Sequence, residues 1–555
     1  MIQFADEEKA ERRLAQLRRK EADDAAQARA AATGISYVDL SSAPVEIDAI
    51  KTVPEDEARA AGIAVFQIAG RRLKIAVENP ERADTAALLR RLAEARYICE
   101  QYLASRYGLE RAWSFYKKVP AEHAASAGAI ALSPEKLAHI RSGISSLGDI
   151  RSRVSEIFHS RASEALEVIL AGALATGASD VHLEPQKETV RLRLRLDGVL
   201  HDVAGLPHKL FLLLLSRIKL ISELKLNIHD RAQDGRFTIQ SDAGAVEVRA
   251  SVLPGPDGEN IVLRILNPEA IRITFRDLGM QPRIADAMER ELKKPNGLIL
   301  TTGPTGSGKT TTLYTFLGAV RSPEIKIITI EDPIEYHLAG VEQTQVDQEK
   351  GYDFSNGLRA IVRQDPDVIL VGEIRDLETA ETAMHASLTG HLVFSTLHTN
   401  DAAGTMPRLI DLGVRPAIIA PAINVAMAQR LVRKVCSACR SPKTLAPEEY
   451  YAVKKELADF PAGIPIPEES GWTVYAPPTS APCPVCGGVG YRGRIGVYEI
   501  ILIDDQLEQL ILQSAPEREI KKAASAQGQI TMRQDGLLKI LAGVTDAAEI
   551  ARVVG

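Results

Sequence analysis

The sequence lacks the features that would place it across a membrane or in an oxidising compartment. No apolar stretch approaches the roughly 20 residues that a bilayer-spanning helix needs; the strongest, LFLLLL at 210–215, is followed by Arg217 and Lys219. The opening MIQFADEEKAERRLAQLRRK is charged from its sixth residue and has no apolar core of a secretory signal. The chain is therefore expected in the cytoplasm, with membrane association at most peripheral. Cysteine is scarce, at 5 of 555 residues, which argues against a disulfide framework. Four of these cysteines fall into two CxxC pairs and leave only Cys99 over. Excess positive charge is missing too, since 67 Lys and Arg face 73 Asp and Glu for a net −6. With no evident basic stripe, nucleic acid is not expected as a partner. No repeat of solenoid or propeller period is visible.

What is present is too long for one hydrophobic core, so two to four domains are expected. Residues 1–34 read as a solvated helical lead and residues 35–119, where short apolar segments alternate with helical ones, as a small α+β domain. Residues 120–150 are rich in Ala, Ser and Gly, as a linker is. A second α+β domain spans 151–270; in it Val190, Leu192, Leu194 and Leu196 alternate with Arg191, Arg193 and Arg195, the pattern of a half-buried strand that turns at Asp197-Gly198. Over 277–435 apolar strands alternate with helices (GLILTTG, IKIITIED, VILVGE, HLVFSTLH). That order implies a doubly wound, mostly parallel sheet. A cysteine module at 436–490 and a helical region at 491–555 complete the division.

The strand GLILTT runs into GPTGSGKT at 303–310, and every position of the phosphate-loop pattern is met. In such a loop the backbone of Gly303, Pro304, Thr305, Gly306, Ser307 and Gly308 cradles phosphates, Lys309 reaches the β and γ phosphates, and Thr310, followed by Thr311 in the helix, offers its hydroxyl to Mg²⁺. Hydrolysis further needs a group that positions water and one that neutralises developing charge. Candidates lie at the ends of later strands: Glu331, Asp332 and Glu335 in ITIEDPIEY, and Glu373 in VILVGEIRD, where Gly372 stands in the place often taken by an aspartate. His391 and His398 bracket the strand in TGHLVFSTLHTN. The pairs Cys436/Cys439 and Cys483/Cys486 have the spacing of a closed tetrahedral Zn²⁺ site, with redox chemistry as the lesser alternative.

Taken together and in order, GPTGSGKT, ITIEDPIEY, LRAIVRQDPDVILVGEIRD and TGHLVFSTLHT resemble the secretion ATPases that drive type II secretion and type IV pili. The resemblance covers about residues 150–555 and is weaker over 34–119. It implies a RecA-like P-loop NTPase core preceded by two smaller α+β domains, the second PAS-like, and a zinc-binding insertion. It further implies Glu335 as catalytic base, Glu373 acting through Mg²⁺, His398 sensing the γ-phosphate and His391 supporting the site. Arg249 and Arg264, in VRASVLPGPDGENIVLRIL, match the family's arginine fingers, expected here to reach a neighbouring chain. The implied protein is a homohexameric ATPase using ATP, Mg²⁺ and Zn²⁺ at the cytoplasmic face of the inner membrane, with a membrane platform protein and a cytoplasmic docking component as partners. The cysteine module, absent from the shorter retraction motors, points to assembly rather than disassembly, and pilus assembly is preferred to type II secretion. The glycine- and leucine-patterned motif by which some members bind cyclic di-GMP is not found, and no second messenger is expected. The rival readings are a docking protein that binds ATP without turnover and a nucleic-acid translocase.

Overall fold

A computed structural model describes residues 20–118, 129–130 and 140–555, apart from 42, 44, 51, 70–71, 95–96, 141–142, 157–161, 242–243, 268–272, 462–463, 467, 469–471, 473 and 479–482. Most of the expected helical lead, 1–19, and most of the expected linker therefore lie outside the described residues. The chain divides into two compact units at Ala125/Ser126.

The first unit holds a three-stranded sheet of β1 (Ile63–Ala69), β2 (Arg72–Val77) and β3 (Ile98–Leu103), antiparallel and then parallel. Helices at Glu55–Ala61, Ala83–Glu94 and Arg106–Ser114 bury Leu40, Ile63, Leu73, Ile75 and Leu109 around Trp113. The indole N–H of that tryptophan donates to the Ile63 carbonyl at 2.8 Å, so its one polar atom is satisfied in the core.

The second unit contains two seven-stranded sheets. The strands of the first are β4 (Ala129–Ile130), β5 (Asp180–Pro185), β6 (Val190–Leu196), β7 (Val199–Leu206), β8 (Gln233–Ser241), β9 (Gly244–Gly255) and β10 (Gly258–Leu266), in the order β4-β8-β9-β10-β5-β6-β7. Its inner face is built by alternation: Val190, Leu192, Leu194, Val248, Ala250, Ile261 and Leu263 are buried beneath helices Leu147–Glu156, Ala162–Thr176 and His208–Ile221, and the arginines between them face outward. Within the stretch read as a linker, 129–130 pairs with β8, and Ile140 and Ile144 join this core.

The second sheet comprises β11 (Gly297–Thr302), β12 (Ile327–Glu331), β13 (Glu342–Gln345), β14 (Val368–Val371), β15 (Leu392–Leu397) and β16 (Ile423–Val435), all parallel, and β19 (Tyr491–Leu502), antiparallel to β16; the order is β13-β12-β14-β15-β11-β16-β19. β11, β12, β14 and β15 are buried along their whole length because helices cover both faces. Leu298 and Leu300 pack into one layer, with Ile299 between them in the other. Residues 491–555, expected to be helical, open with β19, whose RIGVYEII suits a sheet edge better than a helix. Four helices follow it. Between β16 and β19 lies the cysteine module, with the short pair β17 (Ser441–Pro442) and β18 (Tyr475–Ala476). No helix among the described residues is long and apolar enough to cross a membrane.

Candidate nucleotide and metal sites

Parallel topology gathers the carboxyl ends of β11, β12, β14, β15 and β16 along one edge, where open α/β sheets bind ligands. After β11 the chain turns through Gly303 (φ 147°), Gly306 (φ 80°) and Gly308 (φ 90°) into the helix Lys309–Val320. A Cβ at Gly303 would stand 2.7 Å from both the Gln429 carbonyl oxygen and Ser307 Oγ, so the loop is closed to a side chain there. Lys309 Nζ folds back onto the carbonyls of Gly303 (2.6 Å) and Pro304 (3.2 Å). Burial pulls its pKa down, and the Glu373 carboxylate opposes that.

Gln429, on β16, supports this loop and was not singled out in the sequence. It is fully buried and its Nε2 donates to the Ser307 carbonyl at 2.7 Å. The signal that marks it is a lone amide inside the apolar run VAMAQRLV.

Glu331 and Glu335 share one segment but occupy different environments. Glu331 is 4% exposed and accepts from Tyr314 Oη, from Thr329 Oγ1 at 2.6 Å and from Gln343 Nε2 at 3.1 Å. Glu335 is half-buried, its Oε2 3.2 Å from Arg249 Nη1 of the same chain, while Arg249 Nη2 donates to the Ile334 carbonyl at 2.5 Å. Arg264 lies opposite Arg249 in the β9–β10 register, and its Nε donates to Asp180 at 3.1 Å. A neighbouring chain is thus not required for Arg249 to reach Glu335.

At the end of β14, a Cβ on Gly372 would lie 3.2 Å from the Ile330 carbonyl oxygen of β12. The acid stands one residue later, at Glu373, which meets His398 Nε2 at 3.3 Å and also pairs with Arg375. His391 does not join this group. It precedes β15, roughly 20 Å of strand away from His398, and its Nδ1 bonds the Ala386 carbonyl at 2.9 Å. The expectation that it supports the nucleotide site is corrected accordingly.

The four thiols of Cys436, Cys439, Cys483 and Cys486 come together because β16 and β19 pair antiparallel and carry the two CxxC turns to the same end. Their sulfurs lie within 4.8 Å of one another, with Cys436–Cys483 at 3.9 Å and Cys439–Cys486 at 3.6 Å. Metal–sulfur bonds of about 2.3 Å give a tetrahedral edge of about 3.8 Å, so the donor set fits zinc. Burial pushes the Cys439 thiol up, whereas backbone N–H groups, led by that of Cys486, bring Cys483 down to about 7. The start of β19, just after the module, also touches the arginine-bearing domain: Gly493 N donates to Asp197 Oδ2 at 2.8 Å.

The sequence model of the family described as type II/IV secretion system protein matches residues 159–552. The chain belongs to the type II/IV secretion system protein family. A second model, the MshEN domain, matches residues 33–117 of this secretion ATPase. The chain is 44% identical over 391 residues to the type II secretion system protein E of Pseudomonas aeruginosa, covering 70% of this chain and 74% of that one. It is 34% identical over 529 residues to the type IV pilus assembly ATPase PilB of Myxococcus xanthus, covering 93% and 88%. Among solved structures, the ATPase DotB of Legionella pneumophila aligns with a TM-score of 0.49 at 21% identity, over 70% of this chain and 94% of that one. The protein is an ATPase motor of the type II/IV secretion family with a mixed α/β nucleotide-binding core.

Proposed function

We propose that this ATPase powers assembly of a type IV pilus, acting as a homohexamer at the cytoplasmic face of the inner membrane on a platform protein, with a cytoplasmic docking component holding it there. The observation that carries the choice of system is alignment length: the likeness to the pilus assembly ATPase runs through the first compact unit, whereas that to the type II secretion protein stops at 70% of the chain. The pseudopilus motor of type II secretion is the alternative, supported by the higher identity over the shared part.

In the proposed chemistry the loop 303–308 binds the phosphates and Lys309 leaves its carbonyls for them. Glu335 orients and deprotonates the attacking water, and Arg249 and Arg264 neutralise the charge that develops on the transferred phosphoryl group. His398, already on Glu373, reports on the γ-phosphate. Thr310 and Glu373, a hydroxyl and a carboxylate at one sheet edge, would hold Mg²⁺, which supplies charge neutralisation. The four cysteines would hold a structural Zn²⁺. The docking-only rival is disfavoured because the groups that hydrolysis would use are all present, Glu335 paired with Arg249 and Glu373 with His398.

The test uses Lys309→Ala at the native locus of the source organism. Expected is loss of purified ATPase activity and of surface pili, with exoprotein secretion unchanged. Lost secretion with intact pili would move the protein to type II secretion, and intact phosphate release by Lys309→Ala would remove the site.

A further inference from the structure

The end of β16 places a second cation against the phosphate loop. Arg430 Nη1 lies 3.0 Å from where a Cβ on Gly303 would stand, and the Gly303 carbonyl is the acceptor of Lys309 Nζ at 2.6 Å. The two cations therefore flank the residue that opens the loop. Arg430 donates to the carbonyls of Gln429 and Asn400, both at 3.1 Å, and among the described residues it forms no ion pair. Lys309 is in the same condition, with only carbonyl partners. Carbonyl dipoles orient a cation without cancelling its charge, and burial pulls down the pKa of both groups. The acids that act on them, Glu373 on Lys309 and Asp401 and Glu499 on Arg430, do so without ion-pair contact, so two half-buried like charges that repel each other remain costly. That cost is recovered when an anion arrives between them.

We propose that Arg430 is a direct ligand of the nucleotide's α/β-phosphate segment, its planar guanidinium sharing with Lys309 the charge that the loop encloses. The inference rests on nucleotide binding at residues 303–310. Topology sets which phosphates are involved. β16 flanks β11 on the side away from β14 and β12, whose ends carry Glu373 and Glu335. Those two acids address the γ-phosphate, so a side chain from β16 approaches phosphates nearer the nucleoside. Arg430 also ties the end of β16 to the segment after His398 through the Asn400 carbonyl, so an anion that recruits the guanidinium loosens that tie.

The experiment titrates the full-length protein with ADP and, in parallel, with ATP at a temperature where turnover is negligible. Arg430→Gln is expected to weaken both nucleotides by roughly ten- to hundred-fold, the worth of one charge-assisted contact, with its melting temperature little changed. Arg430→Lys, which keeps the charge and loses the fork, should fall between. A purely structural role at the Asn400 carbonyl predicts the opposite pattern, lower stability and turnover with unaltered ADP affinity. ADP affinity of a folded Arg430→Gln within two-fold of the parent overturns the proposal, as does weakening of ATP alone. If Arg430→Gln does not fold, Arg430→Lys decides by the same two-fold limit. A parent chain that bound no ADP would remove the nucleotide site itself; a parent that binds while the variants bind equally well removes only the role of Arg430.

Discussion

Glu331 and Glu335 stand four residues apart at the end of β12, and the structure predicts opposite consequences for their removal. Glu331→Ala takes one carboxylate away from three donors, two of which, Tyr314 and Thr329, are 4% and 0% exposed. A buried donor left without a partner costs about 1–3 kcal/mol, so the pair puts the loss near 3 kcal/mol, or about 6–12 °C in the melting temperature of a domain this size. Glu335→Ala breaks an ion pair whose members are 25% and 30% exposed. Such partly solvated pairs are worth about 0–1 kcal/mol, so its melting temperature moves by less than about 4 °C. Its turnover, however, should fall by about 10²–10⁴-fold, the usual contribution of a positioned base. The assay is a thermal melt and steady-state phosphate release on each variant, with ATP binding measured separately. A Glu331→Ala protein that melts within about 2 °C of the parent yet loses turnover as fully as Glu335→Ala would show that the base has been misassigned.

Three other outcomes are expected. Metal analysis should return one zinc per chain, and Cys436→Ser with Cys439→Ser should abolish it and lower the melting temperature by about 5 °C or more; a metal-free parent as stable as one supplied with zinc would contradict the site. Because Arg249 meets Glu335 of its own chain, rings mixed from Arg249→Ala and Glu335→Gln chains should stay inactive, and recovered hydrolysis in mixed hexamers verified by native mass spectrometry would place the arginine in trans. Burial pushes Glu549 up, but hydrogen bonds from Arg552 and Arg433 outweigh that and hold it at about 2. The folded pKa is thus below the unfolded one, near 4.3, and the associated stability is present above pH 4.3 and lost as pH falls toward 2. Urea midpoints should decline over that window, and Glu549→Gln should flatten the decline.

The edge of the nucleotide sheet was legible because its determinants are local. A fully buried parallel strand is a continuous apolar run, and β11, β12, β14 and β15 each end on a residue or turn that chemistry can use. Four cysteines in CxxC pairs announced themselves in the same way. What remained hidden depends on which strands become neighbours. Gln429 and Arg430 look like ordinary residues of an apolar strand until β16 is laid beside β11. The Arg249–Glu335 contact spans 86 residues and has no sequence signature. His391 illustrates the reverse error, since seven residues along a helix return to nearly the same face whereas seven along a strand separate two groups by its whole length.

The placement of the cysteine module between β16 and β19 bears on how the polypeptide is made. Translation delivers the thirteen-residue β16 before the strand that will cover its free edge, and such an edge invites wrong pairing while it waits. Residues 436–490 separate the two strands, and closing a loop of that length costs about 3–4 kcal/mol in chain entropy. Cys436 follows β16 directly and Cys486 precedes β19 by a short turn. The four thiols hold the start of β19 beside the end of β16, next to the pairs that run from Arg433–Arg494 to Val425–Leu502. The module thus works as a clasp at one end of this strand pair, where a slip in register would pull the thiols apart, and the helices from Asp505 onward follow the strand it holds.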